Sequence, residues 1–347
     1  MLVVGPETRL SLRARLKVLL SCGGLFLELL TFPVGAQCQP KLYLTAVNSK
    51  GYVAGGTLMA SGLFLYRGNR SWTHLGWNTP RAKAFTCEPA NSDIMFLACG
   101  NGAARSRDGG RTWRITTDWR VTEALDICLD PNAPLHVYLA TAYGMWSSKD
   151  GGQTWAEASA GIEKKYIQTV QVDRTNAGRV FAGTEGGLYL STNSAASWSR
   201  VDSVQDAIIE LEQSPAAPAV WLAATQARGI LLSNDSGRTW LAARSSLAQV
   251  PVYAVTFDPF NAQNLAAASW GAGVYVSSNA GKSWQRRHLG LPVRNLSAAV
   301  FDANQAGRLW VATFEEGIFY SDDLGRSWQD AGLHGAMVFD LVFVHGQ

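Results

Sequence analysis

An eight-residue motif ending in tryptophan recurs along the chain, and it constrains the fold more than any other feature. It reads SRDGGRTW at 106–113, SKDGGQTW at 148–155 and SNDSGRTW at 233–240, with weaker copies STNSAASW, SSNAGKSW and SDDLGRSW and a degenerate first copy, YRGNRSW. The final residues of the copies, 41 to 44 residues apart, are Trp72, Trp113, Trp155, Trp198, Trp240, Trp284 and Trp328. A fixed period of this length indicates a repeat architecture, here of seven units.

Each unit also contains the sequence features of four short strands. A glycine eleven residues before the tryptophan opens an apolar run, as in GLYLS, GILLS, GVYVS and GIFYS; in the first unit Gly62 lies only ten residues before Trp72. Two more β-rich runs separate each tryptophan from the next glycine, and no amphipathic helix pattern follows residue 36. Four strands per unit, repeated seven times, predict an all-β fold: a seven-bladed β-propeller with four-stranded antiparallel blades. An open β-solenoid is the alternative, although its repeats are usually shorter.

Residues 1–36 have the features of a signal peptide. It begins with the basic residues Arg9, Arg13, Arg15 and Lys17. An apolar stretch, VLLSCGGLFLELLTF, follows, and the segment ends with the small residues VGA at 34–36. Glu28 interrupts the apolar stretch, so a retained membrane anchor is the alternative. Cleavage after Ala36 predicts an exported protein, periplasmic or extracellular, in which residues 37–347 form the propeller. No later stretch has the ~18 uninterrupted apolar residues of a membrane span.

The charge of the chain gives no sign of a nucleic-acid partner. The formal net charge is +3, of which residues 1–36 carry +2, so the remainder carries +1. Nucleic-acid-binding domains usually have a strong basic excess on one face. Beyond Cys22 the cysteines are Cys38, Cys87, Cys99 and Cys128. Their even number fits disulfides in an oxidising compartment, and buried free thiols are an equally good alternative. Their spacing resembles no metal site, so we predict no metal and no cofactor.

The S-x-D-x-G-x-T-W pattern resembles the Asp-box, or bacterial neuraminidase repeat, of propellers found in sialidases, xyloglucanases, sortilin-type receptors and photosystem II assembly factors. The resemblance covers residues 40–347 and is specific for the fold, but hardly for the function. The polar residue at the third position is expected to be structural, because in the turn between the third and fourth strands its side chain can accept hydrogen bonds from N–H groups. These residues are Asp108, Asp150, Asn193, Asp235, Asn279 and Asp323. The glycine two residues later is expected to have a positive φ angle.

A binding site is expected on the opposite face of the propeller, where loops enter each first strand and join each second strand to the third. We call these loops together the loop face. The loops into first strands carry Trp119, Arg120, Lys164, Lys165, Tyr166, Asp206, Arg294, Asn295 and His334. The loops between second and third strands carry Asn101, Tyr143, Glu185, Gln226, Arg228, Trp270, Phe314, Glu315 and Glu316. Mixed charge with aromatic side chains suits a protein interface, and it also suits stacking on a sugar.

Carboxylates on the loop face support a glycoside hydrolase as an alternative. TEGGLY at 184–189 resembles the loop that holds an acidic residue in xyloglucanases, and TFEEGIF at 313–319 places Glu315 and Glu316 three blades away. Glu185 and Glu316 are the candidate general acid and base on a β-glucan such as xyloglucan. Xyloglucanases, however, use two propellers and an aspartate. A sialidase is disfavoured because the arginine-bearing RIP-type motif is missing and the sequence shows no arginine cluster that would bind a carboxylate.

The sequence therefore favours an exported, non-catalytic propeller, expected to be a monomer, that binds a protein or glycan partner through the loop face, as a scaffold or assembly factor does. A pure carbohydrate-binding module is a further alternative, with Trp119, Tyr166 and Trp270 as stacking platforms. The run VFDLVFV at 338–344 has no octapeptide after it. We predict that it pairs with residues 41–55 and closes the ring, which removes exposed strand edges. The sequence does not decide which of these two strands is innermost.

Overall fold

The structure is a computed structural model, and it describes residues 39–50, 60–79, 81–243 and 247–344. The predicted signal peptide, its cleavage point and the anchor alternative lie outside these ranges, as does Cys38. The described residues form strands, turns and loops but no helix, so they contain no helix that could cross a membrane.

The described residues form 28 strands. In chain order these are β1 (Lys41–Asn48), β2 (Gly62–Gly68), β3 (Ser71–Leu75), β4 (Ala82–Glu88), β5 (Asn91–Cys99), β6 (Gly102–Ser106), β7 (Arg114–Ile115), β8 (Ala124–Leu129), β9 (Val137–Thr141), β10 (Gly144–Ser148), β11 (Ala156–Glu157), β12 (Ile167–Val172), β13 (Val180–Thr184), β14 (Gly187–Ser191), β15 (Ser199–Arg200), β16 (Ile208–Gln213), β17 (Trp221–Thr225), β18 (Ile230–Ser233), β19 (Leu241–Ala242), β20 (Val252–Phe257), β21 (Leu265–Ser269), β22 (Gly273–Ser277), β23 (Gln285–Arg286), β24 (Leu296–Phe301), β25 (Leu309–Thr313), β26 (Ile318–Ser321), β27 (Gln329–Gly332) and β28 (Ala336–Val344).

The strands form seven antiparallel sheets of four strands each, which are the blades of a β-propeller. From the inside outwards, blade 1 is β28-β1-β2-β3, blade 2 is β4-β5-β6-β7, and blades 3 to 7 continue in the same way from β8, β12, β16, β20 and β24. The first strands of neighbouring blades contact one another around a central channel. The predicted seven-bladed propeller is therefore confirmed, and the open solenoid is wrong.

Burial differs between the strands of a blade because their neighbours differ. The second strands β9, β13, β17, β21 and β25 are buried along their whole length, since adjacent blades cover both of their faces. The first strands mix buried and half-buried residues because one side borders the channel. The fourth strands β7, β11, β15, β19 and β23 have only two residues each.

The hydrophobic core lies between blades. Between blades 4 and 5, the Phe181 and Trp221 rings lie edge to face with their centroids 4.8 Å apart, and Trp240 packs against the same cluster. The octapeptide turn of blade 5 approaches this cluster so closely that a Cβ on Gly237 would lie 2.4 Å from the Phe181 ring. The φ angle of Gly237 is also positive, at 75°. A glycine is required there both by the backbone and by the packing of one blade on the next.

Pairing of the two ends of the chain closes the ring. β28 runs antiparallel to β1 from Lys41 opposite Val344 to Asn48 opposite Ala336, with one register shift between Thr45 and Ala46. The predicted closure is confirmed, and β28 is the innermost strand of blade 1. β28 also contacts the first strands of blades 2 and 7.

The first repeat departs from the others in its turn. A tight hairpin joins β2 to β3 through Asn69 and Arg70, which both have positive φ angles, 48° and 62°. Two consecutive left-handed residues are typical of the two-residue turns whose twist matches that of paired strands. This shorter connection replaces the octapeptide turn and explains why Gly62 lies one residue closer to its tryptophan.

The three described cysteines are free thiols. Cys87 and Cys99 are buried and Cys128 is half-buried. Burial raises the pKa of each thiol to about 12. The sequence left disulfides and buried free thiols as alternatives; all three described cysteines are free thiols, and two of them are buried.

Candidate functional site

The predicted site residues lie on loops that meet at one end of the blades. In an antiparallel blade, the loop between the second and third strands and the loop into the next first strand lie at the same end. Backbone hydrogen bonds join the two kinds of loop: Glu185 N donates to Tyr166 O at 3.1 Å, and Phe314 N donates to Asn295 O at 2.9 Å. The loop face is thus a connected surface rather than a set of separate loops.

Three aromatic side chains project from successive loops of blades 2 to 4. Trp119 is 86% exposed, Tyr143 65% and Tyr166 41%. Ala142 N donates to Glu123 O at 3.0 Å, which ties the loop of Tyr143 to the loop of Trp119. Exposed apolar side chains that lie together mark interaction sites more often than scattered ones. Because these three residues lie on adjoining loops, we treat them as one candidate surface and call them the aromatic arc.

Several predicted cations on the loop face pair with neighbouring carboxylates. The Arg120 side chain donates hydrogen bonds from Nε and Nη2 to the Asp118 carboxylate. Lys165 Nζ lies 3.1 Å from Glu157 Oε1, and Arg228 Nη1 lies 3.1 Å from Asp206 Oδ2. The Lys and Arg side chains of these pairs are at least half exposed. Exposed ion pairs contribute little to stability, typically about 0–1 kcal/mol, so they can exchange partners at small cost.

A second aromatic group lies on blades 6 and 7. The ring centroid of Trp270 is 5.1 Å from that of Phe314 and 5.8 Å from that of Tyr253. Trp270 and Phe314 were predicted site residues, whereas Tyr253 was missed. It is the second residue of β20 and borders the mouth of the channel. Its position in the strand could have identified it, because the second residue of the first strand lines that mouth in blades 2 to 7. Arg294, also predicted, lies in the adjacent loop, and its carbonyl accepts a hydrogen bond from Gly273 N at 3.0 Å.

The candidate hydrolase carboxylates lie in different environments. Glu185 is exposed, in the two-residue connection of blade 4. Glu316, in blade 7, forms an ion pair with Lys50, with Nζ and Oε1 3.0 Å apart. Glu315 has a φ angle of 61° and exchanges backbone hydrogen bonds with the loop that enters β28. Within the described part of the chain, no hydrogen bond or ion pair links Glu185 to Glu315 or Glu316.

Carboxylates that the sequence analysis did not identify line the central channel. Asp126 accepts a hydrogen bond from Val170 N at 2.8 Å, Glu210 from Val255 N at 2.6 Å, and Asp340 from Phe85 N at 2.9 Å. In each case the first strand of one blade is tied to the first strand of the next. Burial raises the pKa of all three carboxyl groups, that of Asp340 to about 7.

The octapeptide turns lie at the other end of the blades, which we call the turn face. In blade 2, Asp108 Oδ1 accepts from Thr112 N at 2.9 Å and Oδ2 accepts from Thr112 Oγ1 at 2.6 Å, while Ser106 Oγ donates to Oδ1 at 2.8 Å. The hydrogen bonds from Thr112 lower the pKa of Asp108 to about 2. The same pattern recurs at Asp150, Asp235 and Asp323. Each turn satisfies the polar atoms of its own carboxylate.

Several tryptophans of the turns connect neighbouring blades through the indole N–H, whereas Trp113 and Trp240 donate to a carbonyl of their own turn. Trp198 Nε1 donates to Ala158 O at 2.7 Å and Trp328 Nε1 donates to Arg287 O at 2.9 Å, in both cases in the preceding blade. Among the residues that the structure describes, no group of three or more His, Cys, Asp or Glu side chains could hold a metal ion.

Comparison with known proteins finds similarity only at the level of structure. No protein-family model matches the chain, and no curated protein matches it. A GH74 xyloglucanase from Xanthomonas campestris is similar with a TM-score of 0.68 and 18% identity, over 86% of this chain and 53% of that one. YCF48 bound to a D1 peptide is similar with a TM-score of 0.57 and 14% identity, over 77% of this chain and 93% of that one. The extracellular domain of the hybrid two component system BT4673 from B. thetaiotaomicron is similar with a TM-score of 0.59 and 14% identity, over 80% of this chain and 39% of that one.

These similarities concern the propeller fold alone, because the identities are low. The chain spans about half the length of the GH74 enzymes that it matches, 55% in one and 53% in another. The same fold thus serves glycoside hydrolases and a protein solved with a bound peptide, and the function has to be argued from the surface of this chain.

Proposed function

We propose that this protein is a non-catalytic binding propeller whose loop face docks a protein partner. The observation that carries the proposal is the aromatic arc, Trp119, Tyr143 and Tyr166, on adjoining loops of one rigid face. Tryptophan, tyrosine and arginine dominate the binding energy of protein interfaces. The blades hold these loops in place, so little ordering of the backbone is needed on binding.

The charges around the aromatic arc favour a protein partner over a glycan. Arg120 and Lys165 lie on the same loops as the arc, and Glu185 lies beside Tyr166. Both signs of charge are therefore present next to exposed rings, which suits a partner surface of mixed charge. Among the known structures, YCF48 was solved with a bound peptide, and this supports the use of such a fold for recognising protein.

We place the protein outside the cytoplasm, in the periplasm or beyond the cell. This part of the proposal rests on residues 1–36, whose sequence resembles a signal peptide. The match to an extracellular domain is consistent with it.

Loss of partner binding in a loop-face variant tests the proposal. The variant Trp119→Ala/Tyr143→Ala/Tyr166→Ala removes the aromatic arc, and the control Leu135→Ala/Phe260→Ala removes exposed apolar side chains, 62% and 55% exposed, from loops at the turn-face end. Proteins that co-purify with the wild type from the source cells should be retained by the control and reduced at least about tenfold with the triple variant. Equal recovery of co-purifying proteins with the triple variant would contradict the proposal. Glycan binding that is lost only in that variant would show that the partner is a glycan rather than a protein.

Turnover of a β-glucan would also contradict the proposal. The assay is reducing-end release by the purified protein on a panel that includes xyloglucan, with Glu185→Gln and Glu316→Gln beside it. We expect no release by any of the three proteins. Release by the wild type that is lost in either variant would identify a glycoside hydrolase with its site on the loop face.

A further inference from the structure

Two arginines of blade 2 face each other directly across paired strands. Arg105 of β6 is opposite Arg114 of β7 in the strand register. Like charges at directly opposed positions destabilise an antiparallel pair. Neither arginine forms an ion pair with a carboxylate of the described residues. The two residues are nine positions apart in the sequence, and the hairpin between β6 and β7 places them directly opposite each other.

The other repeats show that this arrangement is particular to blade 2. The positions equivalent to Arg105 in blades 3 to 7 hold Ser147, Leu190, Leu232, Val276 and Tyr320. Their partners across the strands, equivalent to Arg114, are Ala156, Ser199, Leu241, Gln285 and Gln329. The propeller fold therefore needs no positive charge at either position, and the two arginines call for another explanation.

Both arginines line a cleft of about 630 Å³ between blades 2 and 3. Arg107 adds a third guanidinium to its wall, Trp113 and Thr112 come from the turn of blade 2, and Gln153 comes from the turn of blade 3. The cleft thus lies at the turn-face end of the blades, away from the aromatic arc. Three cations, an aromatic ring, a hydroxyl and an amide surround a space large enough for a small ligand.

Arg105 is held in position within this cleft. Its guanidinium stacks on Phe96, with the Cζ atom 5.6 Å from the ring centroid, and its Nε is buried without a hydrogen-bond partner in the described residues. Burial and the charge of Arg107 lower the pKa of Arg105, against weaker attraction from Asp150 and Glu88. The carboxylate of Asp150 is already engaged by Gln153 N, Thr154 and Ser148 in its own turn. These carboxylates therefore offset the positive charge of the cleft only in part, and none of them forms an ion pair with Arg105 or Arg114 among the described residues.

We propose that this cleft binds an oxyanion, that is a carboxylate, sulfate or phosphate group, between Arg105, Arg107 and Arg114. Guanidinium groups bind such groups through paired, charge-assisted hydrogen bonds. A bound anion between Arg105 and Arg114 would also remove the repulsion between them. The group can belong to a free inorganic ion or to an acidic saccharide, for which Trp113 offers a ring on which to stack.

Binding of sulfate, phosphate and an oligogalacturonate, each at an ionic strength matched with chloride, tests the site. The wild type is compared with Arg105→Gln and Arg114→Gln, and with Arg111→Gln as the control, because Arg111 is an exposed arginine of the same turn that does not line the cleft. We expect the wild type and the control to bind an anion with the same Kd and to gain thermal stability from it. Either cleft variant should bind at least about tenfold more weakly. Tighter binding of the oligogalacturonate than of the inorganic ions would assign the site to a saccharide, and equal binding would assign it to the free ion.

Thermal stability without an oxyanion gives a second readout that does not depend on ligand choice. Because Arg114→Gln removes the repulsion with Arg105, its Tm in chloride should equal or exceed that of the wild type while its response to the anion is lost. The same Kd in all four proteins would show adventitious binding elsewhere on the surface and would overturn the proposal. So would the absence of any response to all three anions.

Discussion

At the scale of single residues, one polar side chain organises each octapeptide turn. In blade 5, Asp235 accepts hydrogen bonds from Thr239 N and Thr239 Oγ1, at 2.9 and 2.6 Å. In blade 4, Asn193 occupies the same position: its Oδ1 accepts from Ser197 N at 2.9 Å and its Nδ2 donates to Ser197 Oγ at 2.9 Å. The hydroxyl donates in one turn and accepts in the other, so the turn requires an acceptor for the backbone N–H but no negative charge.

Substitutions of Asp235 should separate the contribution of its hydrogen bonds to stability from the contribution of its charge. Asp235→Asn retains an acceptor for Thr239 N, so its Tm at pH 7 should fall less than that of Asp235→Ala, by the loss of the charge-assisted part of the hydrogen bonds alone. Asp235→Ala leaves the N–H groups of the turn without this acceptor and should lower the Tm by about 2 to 5 °C. The measurement is thermal unfolding followed by circular dichroism. Equal losses in both variants would mean that the charge itself stabilises the turn.

At the scale of strands and blades, the repeat period predicts the fold because each unit must bury its strands against the next unit. The tryptophan and glycine positions locate the third and fourth strands, and the structure has them there. The order of the strands in blade 1 was not predictable, since β1 and β28 are both mainly apolar and of similar length.

The candidate site was predictable only in its loops. Loop position follows from the repeat, so Trp119, Tyr143 and Tyr166 could be assigned to one face. Site residues on strands could not be predicted from the sequence. Tyr253 and Asp340 have the pattern of ordinary strand residues, and only the packing of the seven first strands turns them towards a channel. Arg105 and Arg114 were missed because pairing across a hairpin depends on the length of its turn.

Removal of β28 should have a large effect because this strand closes the ring. A chain that ends at residue 336 leaves one edge of β1 unpaired and exposes Leu42 and Leu44, which belong to the cluster shared with blade 7. Because Val338 and Leu341 are deleted, Leu42 and Leu44 lose the side chains that pack against them, and we expect the Tm to fall by more than about 10 °C or the cooperative transition to disappear. A chain lacking only residues 345–347 is the control. An unchanged melting curve after removal of β28 would contradict closure by this strand.

At the scale of the whole molecule, two sets of carboxyl groups respond to pH in opposite directions. Burial in the channel raises the pKa of Glu212 to about 8 and that of Asp340 to about 7, whereas unfolded Glu and Asp titrate near pH 4. Between about pH 4 and pH 8 the folded protein keeps protons that the unfolded chain releases, so these groups reduce stability as the pH rises. Hydrogen bonds from threonine lower the pKa of Asp108 and Asp235 to about 2. Their contribution is present above about pH 4 and is lost as the pH falls towards 2.

The Tm should therefore be highest in mild acid, at about pH 4 to 5. Asp340→Asn keeps an acceptor for Phe85 N but cannot ionise, which removes one of the groups responsible for the decline above this range. Between pH 5 and pH 8 the Tm of this variant should fall less steeply than that of the wild type. Melting curves at intervals from pH 3 to pH 9 measure both profiles, and parallel profiles would mean that Asp340 does not contribute to the pH dependence.

The most direct test of a binding loop face is site-specific photo-cross-linking in the source cells. A photoreactive phenylalanine analogue replaces Tyr143 on the loop face in one protein and Leu135 at the turn-face end in another; both are exposed positions of blade 3, and Leu135 does not line the arginine cleft between blades 2 and 3. The proposal predicts a discrete cross-linked partner protein from position 143 and none of the same mass from position 135. The same product from both positions, or from position 135 alone, would contradict a binding surface on the loop face.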